Sequence, residues 1–297
     1  MASYWLLVLP AALLAWTTLI ATIGFAVQAT DRNEPVGASA PVVARIAREG
    51  AARALLRTLG AVAWLGSWIP WGGRAEPPKS PGRRVPVVMV PGLTWNRASL
   101  WPLATFLSRR GWPQVVPLDR RDRQGTLATE AEGLAQEIRA VVQRTGAPQV
   151  DLVGFSTGGL VAAWYLRHHG TAHVRRLVTI GTGWSGTRMA VFGRGRAVDE
   201  IRFGSHVLDG LWPPPVPTVC VWSPHDPVVI PASSALPRHG ADAVRVEEAG
   251  HVDLLVSARA FRAVQAALDH PVVGADVGAG VTLVPTPAGT GTPSEPR

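Results

Sequence analysis

The chain has 297 residues, 47% of them hydrophobic and only 17% charged, with a formal net charge of +8. That composition excludes global disorder and allows one sizeable core. The positive charge is nearly all arginine, since Lys79 is the only lysine, and it is scattered without a zinc spacing or nucleic-acid motif. No nucleic-acid partner is therefore expected. The single cysteine, Cys220, permits no internal disulfide; its apolar neighbours Val219, Val221 and Trp222 make it a buried small hydrophobe.

Residues 4–29 carry no charged side chain. A bilayer takes roughly 20 apolar residues to cross, so 1–30 is expected to be a single-pass transmembrane anchor that places the protein at a membrane. A cleaved signal peptide is the competing reading, with Val27-Gln28-Ala29 as its cleavage site; the length of the run and the absence of Lys or Arg before it favour the anchor. The basic residues after the span point the body inward by the positive-inside rule, and the side of the membrane stays open. Residues 31–84 are expected to form an amphipathic helix and a linker. In 42–66, Arg45, Arg48, Arg53 and Arg57 recur along one side, and Val43, Ile46, Ala47, Ala54, Val62 and Leu65 along the other. Such a helix suits either a membrane surface or the flank of a folded body. Residues 72–84, rich in Gly and Pro, read as the linker.

From 85 to 270 short apolar runs alternate with helical periodicity. Strands are expected at Val85–Val90, Gln114–Leu118, Val150–Phe155, Val174–Ile180, Pro217–Trp222 and Ala243–Glu248. Helices are expected at Leu100–Arg110, Leu127–Thr145, Gly158–His169 and around Phe261–Leu268. This is an α/β class domain, a mostly parallel central sheet flanked by helices. Residues 181–214 break the rhythm with Gly and Arg and are expected to form a cap or lid loop. Residues 271–297, with almost no charge, are expected to be a disordered tail.

Gly154-Phe155-Ser156-Thr157-Gly158 fits the pattern G-x-S-x-G, with an apolar strand running into it and an apolar helix running out. That setting is what a nucleophile elbow requires: a sharp turn exposes the Ser156 hydroxyl, and the two glycines let strand and helix approach. A serine needs a base. Of the eight histidines, only His251 has a frame, in the loop Gly250-His251-Val252-Asp253 between the last strand and the final helix. Asp226, in Ser223-Pro224-His225-Asp226-Pro227, follows the preceding strand and completes the order Ser, Asp, His. Asp199, Asp209 and Glu248 are less well-framed acids, and Asp253 is expected to cap the last helix. Oxyanion donors are expected from the backbone N–H groups of Thr157, directly after the nucleophile, and of Leu93, in the loop Val90-Pro91-Gly92-Leu93.

These blocks resemble α/β-hydrolase-fold lipases, in particular small bacterial lipases of class 2. The likeness is carried by Val87–Gly92, Gly111-Trp112-Pro113, Val150–Gly159 and Gly250–Leu255. The chain has Pro91-Gly92 where that group usually has His-Gly, and Phe155 where it often has His. The resemblance implies the α/β-hydrolase fold, ester hydrolysis through an acyl-enzyme, no cofactor or metal, an acyl ester or lipid substrate, and Ser156, Asp226 and His251 as triad with Leu93 and Thr157 at the oxyanion. Trp95, Trp101, Trp184 and Trp212 then either line an acyl pocket or pack in the body. An acyltransferase of the same fold, or a non-catalytic membrane-tethered binding module, are the competing functions.

Overall fold

In a computed structural model, the described residues are 51–68, 84–120, 125–236, 242–269 and 282–283, together with scattered helical positions between 15 and 27. Most of the expected anchor, the linker and nearly all of the expected tail lie outside them. Among the described residues no helix is long and apolar enough to cross a membrane.

The strands are β1 (Val87–Val90), β2 (Val115–Pro117), β3 (Val150–Phe155), β4 (Val174–Ile180), β5 (Thr218–Trp222), β6 (Asp242–Arg245) and β7 (Thr282–Leu283). They form one sheet in the order β2-β1-β3-β4-β5-β6-β7. All pairs from β2 to β6 are parallel; β7, inside the expected tail, adds an antiparallel rung to β6. The helices are α1 (Ala51–Trp68), α2 (Arg97–Ser108), α3 (Leu127–Thr145), α4 (Thr157–His168), α5 (Arg196–Glu200) and α6 (Ala258–Asp269). Sequence expectation and structure agree to the residue for α3, β3 and β4.

Strand side chains alternate between two cores, as the two-residue period demands. Met89, Val153, Phe155, Val178, Ile180 and Val221 pack with α1, α2 and α6 on one face. Val88, Leu152, Leu177 and Cys220 pack with α3 and α4 on the other. Burial pushes the Cys220 thiol up to about 11, so it stays protonated, as expected of a small core hydrophobe. The helix ends carry the sequence's own punctuation. The Thr126 hydroxyl accepts from Thr129 N at the start of α3, and Gly146 closes it at φ 67°.

Two features shape the surroundings of the sheet's carboxyl edge. The chain leaves β1 toward β2 and then returns past it to β3, so the crevice between the carboxyl ends of β1 and β3 is a topological switch point. The segment between β4 and β5, read from sequence as an irregular loop, contains two short 3₁₀ turns (Arg188–Phe192 and His206–Leu208) and α5. It is pinned by side chains: Glu200 at the end of α5 accepts the N–H of Leu127 at 2.7 Å, which neutralises one orphan donor at the start of α3.

Residues 42–50 of the expected amphipathic segment lie outside the described residues; the rest, in α1, settles against the body. Ala54, Thr58, Ala61, Val62 and Leu65 of α1 are buried, and its neighbours are α2 and the 3₁₀ turn Asp253–Leu255. Arg53 and Arg57 lie on the exposed side, as do Leu56 and Trp64.

Candidate active site

The elbow is built by close approach. A Cβ on Gly154 would sit 2.5 Å from the backbone of Gly159, and one on Gly158 would run into the carbonyl of Val90. Only hydrogen fits at either position, so strand β3 can turn directly into α4. The turn puts Ser156 at φ 54°, ψ −125°, a region a side chain adopts only when its surroundings impose it. Those surroundings are visible: Ser156 N donates to Ile180 O (2.8 Å), and Thr182 Oγ1 donates to Ser156 O (2.9 Å). The serine is thereby tied to the end of β4 on both sides of its peptide unit.

Asp226 and His251 meet. His251 Nδ1–H donates to Asp226 Oδ2 at 2.6 Å, both residues being buried. Because a carboxylate only accepts, Nδ1 carries a proton, and in the neutral ring the lone pair is then on Nε2. The other oxygen, Oδ1, accepts from Val228 N (2.8 Å) and Val229 N (2.9 Å). Asp226 thus both caps its own turn and holds the histidine, one oxygen for each task.

The imidazole packs against the residue that precedes the serine. Its ring centroid is 4.8 Å from that of Phe155, the residue before the serine. A Cβ on Gly181, which follows the Ile180 that bonds Ser156, would be 3.2 Å from His251 Nδ1. Phe155 stands where the resembling group often has histidine, and here it supplies an apolar shelf for the ring. A Cβ on Gly92 would be 3.1 Å from Ser156 Cβ, so the loop carrying Leu93 approaches the serine closely. Thr157 opens α4, whose amide dipoles favour negative charge at that end. Leu93 and Thr157 border one small cleft, which is also lined by Ala197 and Ile201 of the segment between β4 and β5 and by Arg120 and Glu130, whose side chains are buried and 3.7 Å apart.

Trp184 and Trp212 do not line this cleft; they pack edge to face with centroids 4.7 Å apart, and Trp184 is buried against the core beside α4. Asp199 and Asp209 bond Arg202 and His206. Asp253 does not cap α6, where Ser257 Oγ accepts from Ala260 N. It is buried instead, and burial lifts its carboxyl to about 6 although the Arg57 charge opposes this.

Asp253 gives the fold a pH signature. Its folded value lies above its unfolded one, so the folded state holds the extra proton between about pH 4 and 6 and loses stability as pH rises through that window. Asp253→Asn is expected to remove a penalty of about 1–2 kcal/mol above pH 6 and to flatten this part of the profile, measured by urea unfolding at pH 4.5 and 7.5.

Two residues that the sequence left unframed belong to the surroundings of the site. Buried His225 accepts the N–H of Glu248 at Nδ1 (3.0 Å), joining the Asp226 loop to the His251 loop. Glu248 itself has φ 54°. The one available signal for His225 was its place directly before Asp226.

Residues 85–202 match a family model described as alpha/beta hydrolase fold. Among solved structures, the chain is similar to the mature form of Bacillus licheniformis lipase BlEst2, with 18% identity, a TM-score of 0.56, and 65% of this chain and 99% of that one covered. It is also similar to Aspergillus fumigatus lipase B, with 15% identity, a TM-score of 0.60, and 84% and 85% covered. With its strand order, its strained turn after β3 and these likenesses in architecture, the chain has the α/β-hydrolase fold and resembles lipases of that fold.

Proposed function

We propose that the chain is a serine carboxylic-ester hydrolase, in which Ser156 attacks the acyl carbon, His251 Nε2 takes the serine proton and then returns it to the leaving alcohol, and Asp226 holds the imidazole. The backbone N–H groups of Leu93 and Thr157 bind the developing oxyanion, and water releases the acid from the acyl-enzyme. One observation carries this reading: a buried Asp226–His251 pair at 2.6 Å whose imidazole is 4.8 Å, centroid to centroid, from the ring of Phe155, the residue before a serine at φ 54°. A hydrogen-bonded base beside a backbone strained to expose a hydroxyl is the arrangement nucleophilic catalysis needs. The lipase-like architecture supports an ester substrate, and no metal or cofactor is invoked.

The cleft beside Leu93 and Thr157 is small and is lined in part by the charged pair Arg120 and Glu130, which favours short acyl chains over long ones. The membrane placement belongs to this proposal too. It rests on the uncharged run 4–29 and on the outward Leu56 and Trp64 of α1, and it sets the enzyme beside lipid esters.

The test is labelling with a fluorophosphonate ester probe, followed by p-nitrophenyl esters of increasing acyl length. Wild type is expected to form the adduct and to hydrolyse butyrate with a kcat/KM at least tenfold above that for palmitate. A wild-type protein that never labels would end the hydrolase reading; a preference for palmitate would end the short-chain one.

A further inference from the structure

The helix that precedes the catalytic body touches the histidine loop at three points. Arg53 of α1 pairs with the Glu248 carboxylate, and Arg57 Nη1 donates to the Glu248 carbonyl oxygen at 3.0 Å. Glu248 stands three residues before His251 in a left-handed conformation, φ 54°, that a glutamate does not adopt unaided. Gly250 sits so close to α1 that a Cβ there would overlap the Thr58 hydroxyl and lie 3.5 Å from the Ala54 carbonyl oxygen. On the far side of the histidine, Asp253 feels the charge of Arg57. Below the loop, His225 Nδ1 holds the Glu248 N–H and thereby couples it to the Asp226 turn. The loop 248–253 is thus gripped before, at and after the residue adjacent to His251, and the grip comes from a segment outside the stretch matched by the hydrolase family model.

We infer that Arg53, Arg57 and Glu248 are positioning residues for His251, so that α1 is part of the catalytic apparatus. The inference rests on the assignment of His251 as the base. The Arg53–Glu248 pair is exposed and contributes little to folding, as surface pairs generally do. Its role is geometric. It fixes the backbone of a strained residue from which the loop runs to His251, and a misplacement of about 1 Å in a catalytic group costs up to about 100-fold in rate. Glu248 was weighed from sequence as a rival for the triad acid; its carboxylate faces Arg53, which holds its pKa below the usual carboxylate range, and it acts through its backbone.

A double-mutant cycle tests this with Arg53→Ala, Glu248→Ala and both together. The readouts are the rate of fluorophosphonate labelling of Ser156 and kcat and KM on p-nitrophenyl butyrate, well below the melting temperature. Each single change is expected to lower labelling rate and kcat about tenfold with KM within about twofold, and the double change to lower them no further than the worse single one. Arg53→Lys, which keeps the charge on a flexible stem, is expected to restore most of the rate. A purely structural role would lower the melting temperature and leave kcat unchanged. Variants within twofold of wild type in kcat, or effects that multiply in the double variant, overturn the inference. Failure of wild type to label at all would instead overturn the assignment of Ser156 and His251, a result the cycle cannot imitate.

Discussion

Replacing Ser156 by alanine is expected to abolish fluorophosphonate labelling and to lower kcat on short p-nitrophenyl esters by about 10⁴-fold or more. The change deletes one oxygen. Without it no acyl-enzyme forms, and His251 has no proton to take. KM is expected to change little, because the cleft at Leu93, Val161 and Ala197 is untouched. Stability is not expected to fall sharply either. The bonds that hold the elbow, Ser156 N to Ile180 O and Thr182 Oγ1 to Ser156 O, use only the serine backbone. Alanine at φ 54° keeps the strain that serine already bears. A variant that melts near the wild-type temperature yet neither labels nor turns over identifies the nucleophile. A variant retaining more than about a tenth of the wild-type rate shows that another group performs the attack.

The second large effect is expected from Asp226→Asn, which keeps shape and removes charge. The oxygen of the new side-chain amide can still accept from Val228 N and Val229 N, as Asp226 Oδ1 does, so the turn after β5 survives. The amide nitrogen then faces His251 Nδ1 where a carboxylate oxygen stood at 2.6 Å. A donor in that place drives the histidine proton to Nε2, the atom that must accept from the serine. The expected result is a fall in kcat of about 10⁴-fold with a nearly unchanged melting temperature. Asp226→Ala separates the two tasks of this side chain: it is expected to lose catalysis and, in addition, about 1–2 kcal/mol of stability from the orphaned turn amides. Equal turnover in wild type and Asp226→Asn would remove Asp226 from the mechanism.

Helix α1 and the segment between β4 and β5 differ from the motif residues in how they could be known. The face of α1 holding Ala54, Val62 and Leu65 was legible as apolar, yet its partner was not, since a bilayer surface and the flank of a sheet present the same hydrocarbon to it. Contacts with Gly250 and Glu248 decide for the body. Between β4 and β5 the reading of 181–214 as irregular missed α5, because five residues are too few for a helical period to show. Its anchoring on the start of α3 by Glu200 depends on two residues 73 positions apart. The tryptophans illustrate the same limit. Trp184 and Trp212 fit a pocket or a core equally well by composition, and only their mutual packing separates the two.

What the sequence determined by itself is what local physics governs. Apolar runs of the right period set β3, β4 and α3 to the residue, and the two glycines around Ser156 announced a strand turning straight into a helix, because no side chain fits there. The loops bearing Asp226 and His251 were legible because each follows a strand of a parallel sheet, whose carboxyl ends share one edge. The tertiary structure alone decided through which oxygen Asp226 holds the histidine, that His225 ties the Asp226 loop to the His251 loop, and that α1 clamps Glu248. The reason is that these contacts join residues between 23 and 195 positions apart, as short as hydrogen bonds require, and no pattern along the chain encodes a distance across it.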